Sequence, residues 1–180
     1  VKLHEKEGYI TDFVEKPTSF VSDLAIIGIY YFKDGEYLKS ELQFLLDNNV
    51  TEKGEYQLTN ALENMKQKGT RFMPGQVTEW LDCGNKNATV YTNQRILEFD
   101  RGQPHLKGAG LKNHNSIIIE PCFIGNNVEV SGSIIGPHAS IGNNCKVLNS
   151  IVQNSIVQND VKIQHANISN SMLGIGAEVT

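Results

Sequence analysis

Cysteine is scarce in this chain of 180 residues, and Cys83, Cys122 and Cys145 lie far apart. An odd, scattered set builds neither a disulfide framework nor the paired CxxC ligands of a zinc site, so a reducing cytoplasm is the expected compartment. Blocks of like charge are missing too. A net charge of -4 spread along the chain excludes a broad footprint for nucleic acid or an anionic membrane, so any anionic substrate must be held locally. The longest apolar run, LAIIGIYYF from Leu24 to Phe32, has nine residues, about half of the roughly 20 that a spanning helix needs. No charged-then-apolar leader stands before it. The sequons at Asn87 and Asn167 therefore read as chance. What remains, 39% hydrophobic and 20% charged residues, is the composition of an ordinary globular protein. The first residue, Val1, falls almost directly in a strand-like pattern, as expected of a piece of something longer.

Two halves with different periods follow. Up to about residue 100 the pattern is mixed: VKLH and YITDFV flank the polar EKEG as a hairpin. LAIIGIYYF predicts a strand buried on both faces at the centre of a sheet. GEYLKSELQFLLDNN and QLTNALENMKQKG place leucines at helical spacing and end in Asn and Gly, so two amphipathic helices are predicted. RFMPGQV and TEWLDCG read as short strands, and NATVYTNQRILEF as a further helix.

After the Gly- and Pro-containing passage Arg101 to Gly110, an internal repeat takes over. IGNNVEV from Ile124, IGNNCKV from Ile141, VQNDVKI from Val157 and LGIGAEV from Leu173 align at intervals of 17, 16 and 16 residues. A second register aligns serines 133, 150, 155 and 171. Apolar residues spaced by about six, with Asn and Gly between, are the signature of a parallel β-helix: branched side chains stack inward, and Gly or Asn turns the corners. The segment resembles the left-handed β-helix family of hexapeptide-repeat proteins from about Ile117 to Thr180.

Three motifs carry candidate chemistry: EKP at Glu15 to Pro17 ahead of the apolar run, KGEYQLTNAL, and EWLDCGN at residues 79 to 85. Proline forces Lys16 into an extended conformation, so Glu15 and Lys16 project in opposite, fixed directions. A fixed ammonium suits phosphate and a fixed carboxylate suits sugar hydroxyls. Asp82, between Trp80-Leu81 and Cys83-Gly84, has two readings from the residues alone: an open metal ligand, or a buried carboxylate capping a turn or the helix that begins near Asn87.

In this order and at these distances, the motifs resemble the sugar-phosphate nucleotidyltransferase family, which joins a sugar 1-phosphate to a nucleoside triphosphate and releases pyrophosphate. The likeness runs from about residue 1 to Arg101 and corresponds to the second half of that family's catalytic domain. It implies that Glu15 binds sugar hydroxyls, Lys16 binds the sugar phosphate, Ile26 and Gly28 line the sugar pocket, and Asp82 holds Mg²⁺, with Cys83 and Gly84 keeping the approach clear. Two positions depart from the family pattern: Asn85 stands where Thr is usual, and Asn60 where Asp is frequent. The family's Gly-rich triphosphate loop and its second metal carboxylate have no counterpart, so no complete catalytic set is expected and the chain alone is expected to be inactive.

The expected organisation is an α/β, Rossmann-like distal half of a catalytic domain over residues 1–84, a helix and linker over 85–110, and a left-handed β-helix over 111–180. Partners would be a sugar 1-phosphate and a nucleoside triphosphate, with no nucleic acid and no membrane, in a homo-oligomer formed through the β-helix. Two alternatives stand beside this reading. A hexapeptide-repeat acyltransferase would use solvent-facing His138 or His165 as general base. A non-catalytic subunit would use the β-helix for assembly.

Overall fold

The computed structural model describes residues 1–14 and 18–180. Two compact units divide the chain, Val1–Trp80 and Leu81–Thr180.

In the first unit, β1 (Lys2–Leu3) and β2 (Ile10–Asp12) pair antiparallel across the expected polar turn. α1 (Gly35–Asp47) begins where Asp34 accepts a hydrogen bond from Tyr37 N at 3.0 Å and ends at Asn48. This is a side-chain cap for a donor that the first turn would leave unpaired. α2 (Leu58–Gln67) follows and ends just before Gly69, whose φ of +96° suits glycine. Leu45 of α1 and Ala61, Leu62 and Met65 of α2 are buried. Glu41 is buried beside them, with its carboxylate 2.6 Å from Lys68 Nζ.

The apolar run departs from expectation. Residues 24–32 form no strand, and Ile29 and Tyr31 are 76% and 91% exposed. RFMPGQV and TEWLDCG form no strands either. A strand exists only when a neighbour takes its N–H and C=O groups in succession; isolated bonds from Val1 N to Leu24 O and from Ile10 N to Phe72 O, each 2.8 Å, do not make a ladder. β-forming composition was therefore necessary but not sufficient.

The second unit begins with α3 (Lys86–Phe99) and a short 3₁₀ turn at Pro104–Leu106, then winds into a parallel β-solenoid of about four turns. The first coil holds β3 (Lys112–His114), β4 (Ile117–Ile118) and β5 (Phe123–Ile124). The second holds β6 (Glu129–Ser131), β7 (Ile134–Ile135) and β8 (Ala139–Ile141). The third holds β9 (Lys146–Leu148), β10 (Ile151–Gln153) and β11 (Ser155–Val157). The fourth holds β12 (Lys162–Gln164), β13 (Asn167–Ser169) and β14 (Met172–Leu173), and β15 (Glu178–Val179) follows. Three parallel sheets result, in the orders β15-β12-β9-β6-β3, β13-β10-β7-β4 and β14-β11-β8-β5.

The repeat read from the sequence is the ladder register itself. Ile124 pairs with Ile141, Ile141 with Val157, and Val157 with Leu173. Val130, Val147 and Ile163 stack likewise in a second sheet, and Ile135 and Val152 in the third. These inward side chains are at most 2% exposed between the first and last coils. The serine register is corrected. Ser150 N donates to Ser133 Oγ and Ser171 N donates to Ser155 Oγ, so the four serines form two columns rather than one. Corners use left-handed residues: Asn127, Asn144 and Asp160 follow one edge, and His138, Asn154 and Asn170 another, with φ from 43° to 61°. Asn side chains tolerate that region better than other non-glycine residues do.

Candidate functional site

Asp82 lies in the second unit, exposed, three residues before the helix cap. The cap is Asn85: its Oδ1 accepts from Ala88 N at 3.0 Å. The helix-capping alternative for Asp82 is not met, since the first turn of α3 is served by Asn85, and the Asp82 residue is exposed rather than buried. The departure at Asn85 also gains a cause, because Asn is among the strongest N-cap residues and at least the equal of Thr. Behind the motif, Thr89 Oγ1 donates to Cys83 O at 3.3 Å and to Asn85 O at 2.9 Å. The carbonyls of Cys83 and Asn85 are thus turned toward the helix. A Cβ built at Gly84 would stand 3.0 Å from Asp82 Oδ2, so the glycine keeps the carboxylate unobstructed.

Of the other expected site residues, Glu15 and Lys16 lie outside the described residues. Ile26 is half-buried and Gly28 exposed on one segment of the first unit, and Gly28 adopts φ +78° with nothing within 4 Å of a built Cβ. Asn60 sits in the first turn of α2, its N–H donating to Gln57 O at 3.1 Å. Among the described residues no cluster of three His, Cys, Asp or Glu side chains could hold a metal. Asp82 therefore fits Mg²⁺ only as one exposed carboxylate. That is still compatible with an ion usually held by one or two carboxylates together with substrate phosphates.

His138 corrects a further expectation. Its corner position is as predicted, but its side chain is only 15% exposed, not solvent-facing, and Nε2 donates to Glu98 Oε1 at 2.6 Å. Glu98 also accepts from Arg101 at 2.8 Å. The hydrogen bond from His138, then the one from Arg101, hold the Glu98 carboxyl below its ordinary value. Asn93 completes the docking of α3: its amide donates to His138 O and its Oδ1 accepts from Ser140 Oγ at 2.6 Å. Lys86 Nζ reaches Asn170 O at 2.9 Å. This polar clasp was missed in the sequence. Its one signal is Asn93, a polar residue between Val90 and Leu97 on the buried stripe of α3. His165 stays exposed at its own corner. Burial raises the thiols of Cys122 and Cys145, so neither is a ready nucleophile.

A mixed α/β unit leading through a capped helix into a parallel β-solenoid is the architectural class. A family model described as "Nucleotidyl transferase" matches residues 1–98, just over half of the chain, and the chain belongs to that family. It is 27% identical over 194 aligned positions to glucose-1-phosphate thymidylyltransferase of Streptomyces antibioticus, covering 98% of this chain and 52% of the relative. It is 27% identical to the bifunctional protein GlmU of Clostridioides difficile, covering 98% and 40%. It is 26% identical to glucose-1-phosphate adenylyltransferase of Desulfitobacterium hafniense, covering 91% and 39%. The chain thus spans about half or less of the length of these relatives, and its alignments run through both of its units. No helix among the described residues is long and apolar enough to cross a membrane.

Proposed function

We propose that this chain is the distal part of a sugar-1-phosphate nucleotidyltransferase, acting on a nucleoside triphosphate and a sugar 1-phosphate to form a nucleotide sugar and pyrophosphate. The observation that carries the reading is the family match over residues 1–98, which includes the exposed, unobstructed carboxylate of Asp82. Relatives named for thymidylyl and adenylyl transfer to glucose 1-phosphate support the substrate class. The domain organisation follows: catalytic part over 1–84, helix and linker over 85–110, β-helix over 111–180.

In this proposal the protein positions two anions and neutralises charge, as phosphoryl-type transfer requires, and supplies no covalent nucleophile. Lys16 holds the sugar phosphate and Glu15 the sugar hydroxyls, while Ile26 and Gly28 line the sugar pocket. Gly28 leaves backbone and sugar free to approach closely. Asp82 is the residue on this chain that would hold Mg²⁺, which when bound shields the negative charge of the phosphates. The triphosphate loop and the second metal carboxylate belong to polypeptide preceding Val1, so residues 1–180 alone turn nothing over. Self-association through the β-helix, in the cytoplasm, is part of the same proposal.

The test is pyrophosphate release by the protein extended upstream of Val1, with Mg²⁺, sugar 1-phosphates and each nucleoside triphosphate. Release with one pair, and none from residues 1–180, is expected. An extended protein that releases none with any pair overturns the proposal.

A further inference from the structure

α3 meets the solenoid through polar contacts near both of its ends, and between them the packing is incomplete. Near its start Lys86 Nζ donates to Asn170 O at 2.9 Å, and further on Asn93 and Glu98 hold the corner at His138. Beside the corners of Asn154 and Asn170 a cavity of about 380 Å³ remains, lined by Asn87, Val90, Tyr91 and Gln94 of α3 together with those two residues. Its wall carries four carboxamides, one phenol, a single apolar residue and no charged side chain. The side chains of Asn87, Tyr91 and Gln94 form no hydrogen bond among the described residues.

One acceptor on this wall is left unmet. Asn154 Oδ1 is buried and has no hydrogen-bond partner, while its Nδ2 donates to Asn170 Oδ1 at 2.5 Å. Another corner of the solenoid shows what the missing partner would be. There the amides run coil to coil, Asn127 Nδ2 to Asn144 Oδ1 at 3.3 Å and Asn144 Nδ2 to Asp160 Oδ1 at 3.0 Å, so each acceptor is served from the coil before. In the coil before Asn154 the corner residue is His138, whose ring is bonded to Glu98 instead. The docking of α3 thus takes away the donor that this column would have supplied. A buried acceptor without a donor is costly, and the cavity beside it is where one can enter.

We propose that this cavity binds a neutral sugar ring. It is a different site from the catalytic sugar pocket of the proposed function and does not rest on that reading. The chemistry of the wall selects the class. With no charged side chain lining it, a phosphate or a metal ion would be desolvated without gaining a counter-charge. Carboxamides both donate and accept, as hydroxyls do, so a ring with several hydroxyls pairs with Asn87, Gln94, Asn154 and Asn170 together. The amide torsion of asparagine is broad, so Asn154 can turn its Oδ1 to a ligand hydroxyl and gain the missing bond. Tyr91, 54% exposed, offers an apolar ring face with a polar tip, against which the C–H side of a sugar lies. The volume falls within the roughly 300–1,000 Å³ usual for small-molecule sites.

Titration of the full chain with D-glucose, D-galactose and N-acetyl-D-glucosamine, followed by nitrogen–proton correlation NMR of the side-chain amides, tests this. At least one of these sugars is expected to shift the amide signals of Asn87, Gln94 and Asn154 with a dissociation constant of about 1–10 mM, the strength of a small polar contact. Inorganic phosphate leaves the same signals in place. The double variant Tyr91→Ala, Gln94→Ala weakens binding at least about tenfold with circular dichroism unchanged. Asn154→Gly, which removes the amide at a position with φ +43° that glycine adopts freely, has the same effect. Maltotriose that binds more tightly than glucose assigns the end of a glycan, and equal binding a free sugar; either supports the site. Three results overturn it: no shift of these amides by any sugar up to about 100 mM, shifts confined to residues 1–80, or binding unaltered in both variants. None of them bears on pyrophosphate release, so the proposed function stands or falls separately.

Discussion

Asp82 could not be assigned from its own residue type, because an Asp before a small residue and Gly serves equally as a turn cap or a ligand. Its neighbour Asn85 caps α3, which removes the helix-cap reading, and Asp82 is exposed. Asn85→Ala should therefore lower the stability of the second unit by about 1 kcal/mol, and Asn85→Ser by far less, as read from urea unfolding followed by helix signal. At Gly84 the expectation is steric. In Gly84→Val the branched side chain starts 3.0 Å from Asp82 Oδ2 and pushes the carboxylate aside, so Mn²⁺-induced broadening of Asp82 resonances weakens in the variant while α3 signals stay in place. Glu98 is the residue that links pH to the docking of α3. Its carboxyl lies below its ordinary value of 4.5 through His138 and Arg101. A depressed carboxyl contributes stability above the unfolded-state value and loses it as pH falls through the lowered one. Protection factors of α3 amides should fall as the solution is acidified below pH 4.5, and in Glu98→Gln that acid-dependent part should be absent.

At the scale of elements, helices and coils were legible for different reasons. α1 and α2 announced themselves by leucine spacing and by Asn48 and Gly69 at their ends, which are local signals, whereas the caps Asp34 and Asn85 emerged only in the structure. The solenoid was legible because each coil places its residues in the environment of the previous coil, so Ile124, Ile141, Val157 and Leu173 recur in phase. The serine columns were misread because Ser-Ile recurs at two different corners, and short-range similarity cannot tell one corner from another. The clasp of Asn93 and Glu98 joins residues about 45 and 40 positions from their partners, a distance over which pattern carries little. The same stacking makes the coils intolerant of added atoms. A Cβ at Gly136 would overlap Ile119 O and lie 2.5 Å from Cys122 Sγ, and its φ is +97°. Gly136→Ala should cost several kcal/mol, by overpacking and by left-handed strain together. Ile135→Ala, at a fully buried position, should cost about 2–5 kcal/mol. Thermal denaturation of the two variants checks both.

Over the whole molecule, the longest apolar and β-rich segment, Leu24 to Phe32, is among those that the structure leaves without a ladder. Phe20, Met73 and Trp80 are likewise exposed at 86%, 66% and 59%. A buried central strand is a property of the sheet around it, and no sheet of the described residues reaches it. The solenoid needs no such partner, since each coil supplies the next one's hydrogen bonds. That contrast, between a self-sufficient repeat and an α/β unit whose apolar segments meet through rings such as Phe32 and Phe72 but form no ladder, accords with the proposal that catalysis needs polypeptide beyond this chain. The central claim is that Asp82 holds the metal for transfer between a nucleoside triphosphate and a sugar 1-phosphate. Its most direct test is the Mg²⁺ dependence of pyrophosphate release by the upstream-extended enzyme and its Asp82→Asn variant. The account predicts a loss of about 100-fold or more in kcat at saturating Mg²⁺, with folding unchanged. A variant that turns over at the wild-type rate, with the same Mg²⁺ dependence, would contradict it.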